Sequence, residues 1–184
     1  MLDATNLPIA LENTRLRLLS ELDADAYATG TKDEAVRRFA HLPEPDYTPE
    51  SVRRMICDEV ATGLSSGTLA VLALADAETD QFVGSMVLFD VSSEAAEVGF
   101  WIHPGARGGG HARRGLELAS RFARTSGLRI LTARTLPENK ASQHCLTTAG
   151  FRETGRGLGA TPAGQREELF HYQRDLIPAA QCRW

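Results

Sequence analysis

Arg107-Gly108-Gly109-Gly110-His111-Ala112 lies between a segment that reads as a strand and one that reads as an amphipathic helix. Upstream, Val98 to Ile102 is β-branched and aromatic and stops at His103-Pro104-Gly105. Downstream, Ala112, Leu116, Ala119, Phe122 and Ala123 recur at helical spacing, and Ser126-Gly127 ends the run. A glycine-rich turn that opens a helix offers free backbone N–H groups and the positive end of a dipole to an anion. Glycine lets that backbone approach a phosphate without an intervening Cβ. The stretch reads as a seat for a phosphorylated ligand, against the plainer reading of a glycine-rich turn. A side chain at Gly110 is expected to lie against the phosphates. The run lacks the Gly-Lys-Ser/Thr ending of a nucleoside triphosphate loop. It also lacks dinucleotide spacing and an acidic residue near position 130 to hold a ribose.

A second segment narrows the reading. Asn139-Lys140-Ala141-Ser142 follows the strand-like Leu128–Thr135, and Gly150-Phe151 comes eight residues after Ser142. The order Arg-x-x-Gly-x-Ala resembles the coenzyme A loop of the GNAT N-acetyltransferase superfamily. With Asn-x-x-Ser…Gly-Phe and the strand Glu97-Val98-Gly99-Phe100-Trp101-Ile102, the chain resembles the branch that holds the ribosomal-protein (alanine) N-terminal acetyltransferases. The resemblance runs from about Arg15 to about Leu176, and its N-terminal third matches only in broad pattern. Arg113-Arg114-Gly115 stands where that branch often has Thr-Glu-Ala.

The resemblance implies a single-domain α/β GNAT-like fold over residues 1–184, with a core from about 14 to 176. Its sheet is expected to be mixed and mostly antiparallel, flanked by helices, with a splay between the fourth and fifth core strands, 95–102 and 128–135. It implies acetyl-CoA as co-substrate, no metal, and acetyl transfer to a primary amine by direct attack in a ternary complex. Trp101, Ile102, His103, Arg107, Gly108, Gly109, Gly110, His111, Ala112, Asn139 and Ser142 are the expected cofactor-binding residues. The acceptor is a small molecule or a protein N-terminus, and a homodimer is compatible with the resemblance. Transfer of a longer acyl group such as succinyl, or a coenzyme A-binding module without catalysis, are the alternatives.

Composition agrees. A chain of 184 residues is long enough for a sizeable single core. A net charge of −4 argues against nucleic-acid binding by general electrostatics. Cys57, Cys145 and Cys182 are widely spaced, with no CxxC, so neither a disulfide framework nor a zinc site is expected. No apolar run reaches the length of a membrane span, and Met1-Leu2-Asp3-Ala4 does not read as a signal peptide. A cytoplasmic protein that binds no membrane is expected.

Along the chain, residues 1–13 read as a lead-in and Thr14–Ser20 as an edge-like strand. Glu21–Gly30 and Lys32–Phe39 are short helix candidates, and His41–Tyr47 is a loop. Thr48 with Pro49 starts a helix whose stripe of Val52, Met55, Ile56, Val60 and Leu64 ends near Gly67. Strands are expected at Leu69–Ala75, Gln81–Asp90, Ala95–Ile102 and 128–135, and near 151–156 and 167–176. Helices are expected at 111–126 and 140–149, and the glycine-rich 157–165 joins the last two strands.

Acetyl transfer to an amine requires the amine to be neutral. A protein α-amine titrates near 7.7–8.0 and a lysine-type amine near 10.4, so a base matters more for the second. Glu97 is the first candidate base, on the strand face that also carries Gly99 and Trp101, with Val98, Phe100 and Ile102 on the other. The family often has a Glu here that acts through water; a solvated residue or an amine anchor is the alternative. His103 is the rival base, or simply a strand-end histidine in solvent. Asn139 reads as the N-cap of a short helix, and the resemblance also sets it beside the pantetheine arm. Ser142 either supports that cap or donates to the leaving thiolate. Many relatives use a Tyr four residues later for this, and Leu146 stands there. Cys145 reads as a small buried residue. Arg107 is a candidate pyrophosphate donor or a plain loop arginine. Arg113 and Arg114 are expected on the helix's exposed side, within reach of a 3′-phosphate. Asp46 and the Pro43–Tyr47 loop fall where the family builds its acceptor site.

Overall fold

The computed structural model describes residues 1–40, 42–160 and 166–176. One eight-stranded sheet runs through them in the order β1-β2-β3-β4-β5-β6-β8-β7. The strands are β1 Ile9–Leu11, β2 Thr14–Leu18, β3 Ala70–Asp76, β4 Phe82–Phe89, β5 Ala95–Ile102, β6 Ile130–Thr135, β7 Arg152–Ala160 and β8 Arg166–Asp175. Every neighbouring pair is antiparallel except β5 and β6. Those two run parallel and pair only at Ala95↔Ile130, Ala96↔Leu131 and Glu97↔Thr132. Beyond Glu97 they part, which is the expected splay.

The helices are α1 Ala24–Gly30, α2 Glu34–Phe39, α3 Pro49–Met55, α4 Ala61–Ser66, α5 His111–Thr125 and α6 Lys140–Thr148. A π-helical segment, Ile56–Val60, joins α3 to α4. The start and stop of this long helical stretch follow its punctuation. Thr48 and Ser51 form a capping box ahead of Pro49, and Gly67 closes α4 at φ +68°. The π segment leaves no local mark that the periodicity reveals.

Alternation in the central strands sends side chains into two cores. Leu72, Leu74, Met86, Leu88 and Val98 pack on Leu116, Ala119, Phe122 and Ala123 of α5. Ala73 and Trp101, on the opposite face, pack on Tyr27, Val36, Tyr47 and Val52. The Arg113-Arg114-Gly115 departure has a packing reason at its third position. A Cβ on Gly115 would lie 2.9 Å from the Leu74 methyls and 3.0 Å from that of Met86, so glycine lets α5 lie close on the sheet.

Three expectations are corrected. Residues 1–13 are not a mere lead-in: Ile9–Leu11 forms β1 and turns into β2 through Glu12 at φ +51°. Three residues are too few to show alternation. The sixth β-strand starts at Ile130 rather than 128. β7 continues to Ala160, so part of the expected connection is strand, while 161–165 fall outside the described residues, as does Cys182. No helix among the described residues is long and apolar enough to cross a membrane.

Arg17 ties β2 to the start of α1. Its two terminal nitrogens donate to Asp23 at 2.7 and 2.8 Å, and Ser20 adds donors from its backbone and hydroxyl. Burial pushes the Asp23 carboxyl up, but the hydrogen bonds from Arg17 and Ser20 outweigh it and hold the group below its ordinary value. The stabilisation is therefore present above the unfolded carboxylate range near 3.9 and is lost as pH falls through the lower folded value. Asp23→Asn is expected to lower Tm at neutral pH, with the gap to wild type closing below about pH 4; a gap constant from pH 7 to pH 3 would contradict it.

Candidate functional site

The parting of β5 and β6 opens a cleft of about 640 Å³ between α2, the end of β5, the loop before α5, and α6. Gly108 and Gly110 reach it at φ +82° and +78°, a conformation open to glycine. Gly110 is the N-cap of α5 and has no side chain to cap with, and the first turn holds no acidic residue. The N–H groups of that turn are left facing the cleft mouth, where a phosphate suits them.

The β1–β2 turn braces this loop through three successive residues. Glu12 pairs with Arg114 at 2.6 Å, Asn13 Nδ2 lies 3.5 Å from the Gly109 carbonyl, and Thr14 Oγ1 lies 2.9 Å from His111 Nδ1. Arg114 in turn donates to the Gly109 carbonyl at 2.8 Å. Gly109 thus supports the loop from behind and does not line the cleft. His111 is buried, and that burial pushes its imidazole below the ordinary value; Arg114 adds to the shift and Asp76 opposes it. Its ring is turned into the protein, so what it offers a ligand at the helix start is its backbone N–H. Arg114 does not lie free on the helix surface as expected, whereas Arg113 lines the cleft. These braces went unread because a three-residue strand gave no reason to bring residue 12 to residue 114.

Arg107 lines the cleft with its guanidinium paired to Asp33 at 2.6 Å. Arg107 holds the Asp33 carboxyl below its ordinary value, and Asp33 caps α2 by accepting from the Val36 N–H. Ile102 and Ala112 line the cleft as expected. Trp101 lines it while remaining 7% exposed in the second core.

His103 sits in the turn that follows β5. Its Nδ1 accepts the Gly105 N–H at 3.2 Å, capping the turn Pro104–Ala106, and its ring lies against Gly30 of α1. It lines neither the cleft nor the chamber described next. The alternation of β5 puts it on the same face as Trp101, and beyond the end of the strand at Ile102 the turn packs its ring on α1.

A chamber of about 400 Å³ opens from the other side of the splay. Glu97 lines it, and its Oε1 accepts from Arg134 Nε at 2.9 Å. Phe39, Phe100 and Ser142 line both chamber and cleft, so the two spaces meet there. Asn139 is the expected N-cap: its Oδ1 accepts the Ser142 N–H at 3.1 Å, and its Nδ2 donates to Ser142 Oγ at 3.0 Å. The serine oxygen is engaged as acceptor and its hydrogen is left for another partner. Leu146 is buried in the chamber wall. Cys145 is half-buried beside the cleft, and burial pushes its thiol up, which agrees with a packing role.

Arg38 was not singled out from sequence. It spans the chamber's rim, donating to Glu138 at 2.6 Å and to Glu167 at 2.9 and 3.0 Å, and so links α2 to β8 and to the loop before α6. Asp46 is exposed beside Arg37 and lines none of these spaces, whereas Pro43 and Tyr47 wall a smaller recess behind Gly99. No group of side chains suited to a metal ion occurs among the described residues.

Residues 13–152 match the family model described as "Acetyltransferase (GNAT) domain". No curated protein matches. Solved structures do, at low identity. The ribosomal-protein-S5-alanine acetyltransferase from Vibrio fischeri aligns with a TM-score of 0.79 at 16% identity, over 94% of this chain and 98% of that one. Mycobacterium smegmatis RimJ in complex with CoA-disulfide aligns at 0.77 and 20%, over 91% and 84%. Spermidine N-acetyltransferase from Vibrio cholerae, with CoA and spermine, aligns at 0.74 and 17%, over 89% and 96%.

A side chain at Gly110 would meet the Arg114 guanidinium rather than only a ligand's phosphates. Gly110→Val is therefore strained at its φ and displaces the arginine that holds the Gly109 carbonyl. It is expected to weaken coenzyme A binding by about tenfold or more by calorimetry, the scale of one or more lost charge-assisted contacts. Unchanged affinity in a folded variant would remove the loop from the binding site.

Proposed function

This chain belongs to the GNAT acetyltransferase family, and on that premise we propose that it moves the acetyl group of acetyl-CoA to a primary amine by direct attack in a ternary complex. The observation that carries this is the meeting of cleft and chamber at Ser142 and Phe100. A thioester laid along the cleft from the α5 terminus brings its carbonyl to the junction, and an amine entering the chamber approaches it from the opposite side. Two of the named relatives are acetyltransferases of a ribosomal protein's alanine and of spermidine, both amine acceptors.

In this reading the pyrophosphate rests on the backbone from Gly108 to Ala112, with Arg113 at its side. Glu97 receives the proton that the amine releases, directly or through one water. Its Oε1 is held by Arg134, so Oε2 is the oxygen offered to the acceptor. The nitrogen bonds to the thioester carbon and the carbon–sulfur bond breaks. The Ser142 hydroxyl, fixed by Asn139, then donates a hydrogen bond to the thiolate as it forms.

The test is turnover with a panel of primary amines, followed by release of free thiol. Absence of thiol release above the hydrolysis background for every amine would overturn the reading. Ser142→Ala is expected to lower kcat by about ten- to a few hundred-fold with little change in acetyl-CoA affinity, because the donor acts chiefly in the transition state. A lowered Tm with unchanged kcat would leave Ser142 as a cap support.

Glu97→Gln is expected to lose more rate at low pH than at high pH, since neutral amine becomes abundant without a base as pH rises. An acidic limb identical to wild type would take the base role from Glu97.

A further inference from the structure

Behind Gly99 lies a recess of about 120 Å³, on the face of the sheet opposite α5. Its floor is a row across three strands: Val71 pairs with Val87, and Val87 pairs with Gly99. Its walls include Tyr27, Tyr47 and Trp101. The polar atoms of these walls are engaged within the protein. Ser85 Oγ donates to the Leu72 carbonyl at 3.2 Å, the Tyr47 hydroxyl accepts the Glu44 N–H at 3.3 Å, and the Tyr27 hydroxyl lies against Ser85 and Trp101. What remains facing the space is mostly apolar, with the exposed carboxylate of Glu59 on the π-helical segment at its edge.

Gly99 lines both this recess and the chamber that holds Glu97. Glu97 and Gly99 lie two residues apart on one strand face, a separation of about 7 Å. Phe100 lines both as well, so the recess and the chamber adjoin along this stretch of β5. A cavity of about 150 Å³ with apolar walls accepts benzene, so the space behind Gly99 suits something slightly smaller.

We propose that this recess receives the non-reacting end of the acceptor, and that this end is a compact branched aliphatic group roughly five bonds from the nucleophilic nitrogen. The proposal rests on the acetyl-transfer reading, and it sets the acceptor class: aliphatic-tailed amines are selected, and amines with a carboxylate tail are rejected by Glu59.

Two readouts separate the recess from the chemistry. The first is kcat/KM for ethylamine, for a primary amine carrying an isopropyl group four methylenes from nitrogen, and for the carboxylate isostere of that amine. The branched amine is expected to exceed ethylamine by at least about tenfold, the order given by a few buried methylenes. In Val87→Phe, which fills the floor opposite Gly99, that ratio falls to within about twofold. In Glu59→Gln, an exposed change that leaves the core intact, the discrimination against the carboxylate isostere falls. The second readout is Trp101 emission in a Trp184→Phe background, which reports occupancy of the recess without turnover. It is expected to shift and saturate with the branched amine and not with ethylamine.

Equal kcat/KM values with no emission change would overturn the recess while leaving acetyl transfer standing. A saturating emission change without turnover on any amine would support the recess and overturn the transfer reading. Neither signal would overturn both.

Discussion

The structure turns on the point where β5 and β6 stop pairing. Up to Glu97↔Thr132 they are neighbours in one parallel ladder; beyond it each strand keeps only its outer, antiparallel partner. A sheet that continued to pair would have no opening. Because the two strands part, backbone and side chains on their inner edges face a space that reaches through the sheet. The loop before α5 and the start of α6 come to it from one side, and Glu97 with Arg134 from the other. The core under α5 spans the opening, joining Val98 of β5 to Leu131 and Ala133 of β6 and Phe170 of β8, while the second core lies on the other face under α1 and α3.

Around that opening the rigid parts are set by close backbone packing and the adjustable parts by ion pairs. Gly115 lets α5 lie close on the Leu74 and Met86 methyls. The loop at that beginning is shaped from behind by the β1–β2 turn, through Glu12, Asn13 and Thr14. The first strand thus contributes to a binding loop about a hundred residues away, as the separation of 102 between Glu12 and Arg114 records.

What was legible in the sequence was local. Glycines at 108 and 110, the Thr48-Pro49 start with its Gly67 stop, and Asn139 ahead of Ser142 each carry their structural reason within a few residues. The alternation of β5 separated Trp101 from Val98 correctly. What was not legible depends on distant partners. Arg38 meets Glu167 across 129 positions, and nothing near either residue marks the pairing. The surroundings of His103 were not legible either: its ring lies against Gly30 of α1 and its Nδ1 accepts the Gly105 N–H, contacts that proximity in sequence to the loop does not show. β1 was too short to show a period, and the braces it brings were lost with it.

The helix α2 has a further consequence for how the cleft is closed. Only Val36 of its residues is buried, yet Ala35, Val36 and Phe39 roof the cleft. Its two ends are fastened by charge: Asp33 to Arg107 at one end, Arg38 to Glu138 and Glu167 at the other. Exposed pairs of this kind weaken as salt shortens the Debye length from about 10 Å at 0.1 M to about 3 Å at 1 M, while apolar packing of the sheet does not. The roof is therefore an ionic fastening on a hydrophobic frame, and the ionic strength of the solution sets how firmly it is held down.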